Sequence, residues 1–147
     1  MSSKAERIAA LLAGLELGGS DGRSVDRHYA GYLECFNRGL FYEAHDVLEP
    51  LWLAQRGGRN GFFYKGLIQL AGAFVHLRKD RPGPAAALLK LARTNLRRYP
   101  AVHEQLDVRK VLALIECWLG RLEKGGGNPL AGDKRPALAL LKTLDQP

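Results

Sequence analysis

The stretch Gly61-Phe62-Phe63-Tyr64-Lys65-Gly66-Leu67-Ile68-Gln69-Leu70-Ala71-Gly72-Ala73-Phe74-Val75-His76-Leu77-Arg78-Lys79 decides the fold class. At 100° per residue, Phe62, Phe63, Leu67, Ile68, Leu70, Ala71, Phe74, Val75 and Leu77 cover nearly the whole circumference of a helix. Such a helix belongs at the centre of a bundle, buried by neighbours on most sides. Lys65, Gln69 and His76 fall within one narrow stripe of it, with the small residues Gly72 and Ala73 alongside. Small residues let a neighbouring helix or a ligand come close. Polar groups at that depth need partners, because burying one unpaired costs about 1–3 kcal/mol.

Outward from this stretch the pattern stays helical, and alternating strand patterns are missing. Upstream, a helix is expected over about Leu40–Gln55, with Pro50 inside it removing one hydrogen bond and kinking the chain beside Glu49. Before that lie a helix over about Ser24–Arg38, capped by Gly39, and a first helix over about Ser3–Leu17. Ser3 and Glu6 form a capping-box pair at its start. Downstream, helices are expected over about Pro84–Tyr99 and Val108–Lys124. Short connections between them favour antiparallel neighbours. The expectation is therefore an all-α, single-domain bundle of five to six helices around a central buried one, over residues 1–124. Residues 125–147 open with Gly125-Gly126-Gly127-Asn128-Pro129 and read as a Gly-rich linker followed by a short amphipathic segment carrying Leu138, Leu140, Leu141 and Leu144.

Composition agrees. The chain has 147 residues, enough for one domain, and its 46% hydrophobic content is too high for a disordered chain. The longest apolar run, Gly66–Leu77, is broken by Gln69 and His76 and is shorter than the roughly 20 residues that span a bilayer. The N-terminus mixes acid and base before any apolar run, which argues against a secretory signal. Two cysteines, Cys35 and Cys117, make no disulfide framework, so a reducing cytoplasm is the expected compartment. Both sit among apolar neighbours and are expected to be buried and inert. The net charge of +7 arises wholly in residues 74–147. Lys90, Arg93 and Arg97 share one side of a helix there. An ordinary solvated face is the favoured reading, and nucleic-acid binding the alternative.

The residues with chemical potential lie on two helices. His45 and Glu49 are one turn apart. His45 stands between an apolar arc (Phe41, Ala44, Leu48, Leu51, Trp52) and an acidic arc (Glu43, Asp46, Glu49). The third and fourth helices should run antiparallel, which brings His45 and His76 toward the same end. His45, Glu49 and His76 are then candidate ligands for a divalent metal, with imidazole nitrogens supplying neutral donors and a carboxylate supplying charge. Glu43, Asp46, Trp52, Lys65 and Gln69 are candidate lining residues of a cavity that takes a metal or a small-molecule ligand, with general acid–base hydrolysis a further option. The other reading is a non-enzymatic interaction or scaffold protein, homo-oligomeric assembly included, in which the same side chains form a structural hydrogen-bond network. Gly57-Gly58-Arg59-Asn60-Gly61 precedes a helix N-terminus, where amides can hold an anion. It lacks the Lys-Ser/Thr of a phosphate loop, so a plain turn is expected.

Phe36-Asn37-Arg38-Gly39, Tyr42-Glu43-Ala44-His45-Asp46-Val47-Leu48-Glu49 with Trp52, and Gly66-Leu67-Ile68-Gln69 with Ala73 and His76 together resemble the signature of domain-of-unknown-function family 309. The resemblance extends over about residues 28–99 and takes in the leucine-rich helix that ends at Tyr99. It implies a small all-helical protein of bacteria or archaea, carries over Glu43, His45, Glu49, Trp52, Gln69 and His76 as the matching positions, and implies no particular activity. The chain departs from the family pattern at Asp46 (usually Glu), at Pro50, and at Lys79-Asp80-Arg81-Pro82, where a Gly-Asn turn is usual.

Overall fold

A computed structural model describes residues 3–14 and 26–125. Six helices follow one another: α1 (Lys4–Gly14), α2 (Arg27–Asn37), α3 (Phe41–Gln55), α4 (Gly61–Arg78), α5 (Pro82–Leu96) and α6 (Val108–Glu123). Between α5 and α6 sits a two-residue antiparallel ladder, β1 (Val102–His103) with β2 (Leu106–Asp107). The fold is all-helical, as expected. The ladder is an addition to that reading, since two-residue strands are too short to show an alternating pattern. The expected end of the first helix and the segment after Gly125 lie outside the described residues.

Local chemistry explains most boundaries. Ser3 and Glu6 form the expected reciprocal cap: the Ser3 amide donates to Glu6 Oε1 at 2.9 Å and the Glu6 amide to Ser3 Oγ at 3.1 Å. Asp26 caps α2 by accepting from the His28 amide at 2.7 Å, and Asp107 caps α6 by accepting from Lys110 at 3.1 Å. Gly39, at φ 77°, turns the chain from α2 into α3. The Arg78 guanidinium donates to its carbonyl and so ties the end of α4 to this turn. α3 runs through Pro50 as one element. After α4, Asp80 takes φ 59°, a left-handed conformation that Asp tolerates better than most side chains. That is how the Lys79–Pro82 turn closes without the Gly-Asn of the family pattern. Pro82 then opens α5 at a position that needs no amide donor, two residues earlier than periodicity suggests.

The central helix is α4. It buries Phe63, Tyr64, Leu67, Leu70, Ala71, Ala73, Phe74 and Leu77. It packs between α3 and α5, and one cluster of buried side chains joins residues of all six helices. Phe74 sits at the junction, stacked on Phe41 at 5.1 Å and edge-on to Phe36 at 5.7 Å and to Trp118 of α6 at 5.0 Å. Contacts of that geometry add about 0.5–1.5 kcal/mol each beyond area burial. Gly66 lets α5 approach: a Cβ there would stand 2.9 Å from Leu96 Cγ. Tyr32, fully buried on α2, donates its hydroxyl hydrogen to the Leu67 carbonyl at 2.6 Å and so fixes α2 against α4.

Candidate functional site

On α3, Asp46 and Glu49 of the acidic arc face α1. The Lys4 ammonium contacts Glu49 and stands 3.7 Å from Asp46. Its pKa is raised, first by the hydrogen bond to Glu49. His45 is half-buried, with Nδ1 3.4 Å from Asp46 Oδ1 on the same helix. Glu43 is exposed and lies toward α2, where burial first and the Glu43 charge second push the Cys35 thiol up to about 11. Cys35 is thus the inert buried thiol expected. Cys117 is not: it is exposed, because α6 turns Val111, Leu114, Ile115 and Trp118 inward and leaves Cys117 beside Glu116 on the outer side.

On α4, the stripe of Lys65, Gln69, Gly72 and His76 lies opposite the buried arc, on the outward side of the helix between α3 and α5. Gln69 is held by α5, its Oε1 accepting from Asn95 Nδ2 at 2.7 Å. Gly72 meets Leu88 of the same helix, a Cβ there standing 3.3 Å from Leu88 Cδ1. Lys65 leans the other way, its ammonium 5.9 Å from the Trp52 ring of α3. His76 is half-buried, and its Nδ1 is enclosed without a hydrogen-bond partner.

These placements change the expected site. Glu49 is drawn to α1 and Gln69 to α5. Among the described residues, no group of three or more His, Cys, Asp or Glu side chains stands where it could hold a metal ion. The metal trio of His45, Glu49 and His76 is therefore not assembled. The antiparallel pairing of α3 and α4 was legible; the rotation of α3, which hands its carboxylates to Lys4, was not.

A second polar cluster had no sequence signal. His103, on β1, is buried with its Nε2–H donating to Asn60 Oδ1 at 2.7 Å and its ring edge-on to Phe63 at 4.8 Å. Desolvation lowers its pKa below the ordinary histidine value. Tyr99 accepts from the Phe63 amide at 2.9 Å and donates to the Arg59 carbonyl at 3.0 Å. Tyr29 donates to the Glu104 carbonyl at 2.8 Å. The Gly57–Gly61 loop is accordingly a pinned turn, with the Gly61, Phe63 and Tyr64 amides engaged by the protein itself.

The segment from the last turn of α3 to the end of α5 and just beyond carries a different feature. Residues 51–100 hold ten Lys/Arg and one Asp, a net +9 that exceeds the charge of the whole chain. Several of these cations rest on aromatic rings. Arg56 lies 5.7 Å from the centre of the Trp52 ring, and Arg98 stands 4.1 Å over Phe62, which is 46% exposed. Arg93 instead pairs with Glu116 at 2.6 Å and ties α5 to α6. No aromatic was visible among the basic residues of α5 because Phe62 comes from α4, 36 positions before Arg98 in the sequence. No helix among the described residues is long and apolar enough to cross a membrane.

The class defined by this architecture is a small all-helical protein whose motif residues tie neighbouring helices together beneath a basic outer face. Residues 29–88 match the model of the family described as Domain of unknown function (DUF309), and over that segment the chain is similar to this family. It is also similar to a protein of Aquifex aeolicus (strain VF5) described as "Uncharacterized protein", at 29% identity over 90 residues, which is 61% of this chain and 27% of that relative. The match thus takes in a minor part of a longer protein. No solved structure matches the chain.

Proposed function

We propose that this protein is a non-enzymatic interaction module that holds an anionic partner against the outer face of α3, α4 and α5. The observation that supports this most is the +9 of residues 51–100, while Glu49 of α3 is engaged by Lys4 of α1. A surface of one sign attracts the opposite charge at a distance and raises its encounter rate. The residues of the family motif then have a structural part: Glu49 fastens α1 through Lys4, and Gln69 fastens α5 through Asn95. A metal- or ligand-binding hydrolytic site on His45, Glu49, Gln69 and His76 has less to rest on, since two of its members already serve as ties.

Heparin chromatography tests the reading. The wild-type chain should be retained at about 0.15 M ionic strength, where exposed charges more than about 8 Å apart are largely screened. The triple variant Arg56→Glu/Lys65→Glu/Arg98→Glu, all at exposed positions, should pass through at the same salt. Wild-type protein that is not retained, or a triple variant that is retained equally, would overturn it.

A further inference from the structure

The geometry points to a single-stranded nucleic acid as the anionic partner, stacked on Trp52 and Phe62 at the α3–α4 end of the basic face; this rests on the proposed anionic-partner reading. Trp52 and Arg56 are one turn apart on α3, and Phe62 and Lys65 one turn apart on α4. Lys65 reaches the Trp52 ring at 5.9 Å, and Arg98, two residues past the end of α5, covers part of Phe62 at 4.1 Å. Trp52 with Lys65, and Phe62 with Arg98, therefore form two cation–ring pairs on neighbouring parts of the fold.

That pairing of rings with cations selects among polyanions. A sulfated polysaccharide or an acidic peptide has charge but no π-face, and the rings would contribute little to holding it. An anionic membrane would take up exposed rings by insertion, whereas Trp52 is partly buried against the core. A single strand matches both features: a phosphate and a flat base recur in every nucleotide. Base–aromatic stacking supplies sequence-tolerant affinity while Lys and Arg track the backbone. In a duplex the bases are already stacked on one another, so the rings find no free π-face. The pairs therefore favour a single strand over a duplex carrying the same charge.

The test uses the full chain and fluorescein-labelled oligo(U) and oligo(dT) of about 12 nucleotides, within the usual range of site sizes, against a duplex of equal length at equal salt. Either single strand is expected to bind at least fivefold more tightly than the duplex. Phe62→Ala, at a half-exposed position and with its circular dichroism checked against the wild type, should weaken single-strand binding about tenfold, in line with the loss of one stacked base, and leave heparin elution unchanged. Oligonucleotide should also quench tryptophan emission. Trp118 is buried in the core, so the quenching should vanish in Trp52→Phe. Lys65→Glu/Arg98→Glu should flatten the salt dependence by about two phosphate contacts. Equal affinity for single strand and duplex, no effect of Phe62→Ala, or tighter binding to phosphatidylserine vesicles would overturn the nucleic-acid assignment while heparin retention keeps the anionic-partner reading standing. Loss of heparin retention in the wild type would remove both.

Discussion

Single side chains of this protein do more to hold helices together than their sequence spacing suggests. Gln69 and His76 share a stripe of α4, but Gln69 is engaged by Asn95, a nearly buried residue from the next helix. Removing the donor leaves the Gln69 oxygen short of a partner at a half-buried position, where water reaches it in part. Asn95→Ala should therefore cost about 1 kcal/mol, the low end of the range for a lost partner. The double variant Gln69→Ala/Asn95→Ala should cost less than the two single variants together, because each single change already removes the shared bond. Urea denaturation of the four proteins measures this; strict additivity would show that the pair contributes nothing to holding α4 against α5. Pairing of this sort was not legible from the sequence. Asn95 belongs to a different helix, and a wheel drawn for α4 shows where Gln69 points without showing what meets it. The same holds for Glu49, whose partner Lys4 is 45 residues away.

Between elements, the close approach of α4 and α5 hangs on one missing methyl group. Alanine at position 66 would gain about 1 kcal/mol of helix propensity. Its Cβ, however, would meet Leu96 Cγ at 2.9 Å and Asn95 Cβ at 3.3 Å, which are branch-point and backbone-proximal atoms with little room to give. Overpacking of that kind costs about 1–3 kcal/mol, so the repulsion wins and Gly66→Ala should lower the melting temperature. Gly72→Ala is the internal control. Its nearest neighbour is the flexible end of Leu88 at 3.3 Å, so the propensity gain should prevail and the melting temperature should rise. A rise for Gly66→Ala matching that of Gly72→Ala would mean that α5 is not seated on Gly66. The elements themselves were largely readable. α4 declares itself by apolar residues on nearly every side, and the Ser3–Glu6 cap is a purely local arrangement. The β1–β2 ladder was not readable, because it is held by Tyr29, Asn60 and Phe63 from distant parts of the chain and not by any pattern of its own.

For the molecule as a whole, the buried tyrosines set an upper pH limit. Desolvation raises the pKa of Tyr29 and of Tyr32 far above 10, and that of Tyr64 by a smaller amount. In the unfolded chain these groups lose their protons near pH 10. Their contribution to stability is therefore complete below pH 10 and is lost as the pH climbs from there toward the folded-state values. Each strongly shifted group costs about 1.4 kcal/mol per pH unit. Unfolding followed by circular dichroism should move to lower urea concentration steadily above pH 10, and Tyr32→Phe should reduce the slope by one group; a slope unchanged by that substitution would contradict the burial of the Tyr32 hydroxyl. The hairpin between β1 and β2 has a separate consequence. Glu104 and Gln105 take φ of 48° and 61°, the backbone of a two-residue turn that suits Asn-Gly. Left-handed backbone costs an ordinary side chain about 1–2 kcal/mol, and the Tyr29 bond at this turn is to the Glu104 main chain. Glu104→Asn/Gln105→Gly should thus raise the melting temperature by a few degrees with every tertiary bond kept. The turn is thus a latent margin: two adjacent substitutions there would offset a destabilising change of similar size on the surface of α3, α4 or α5.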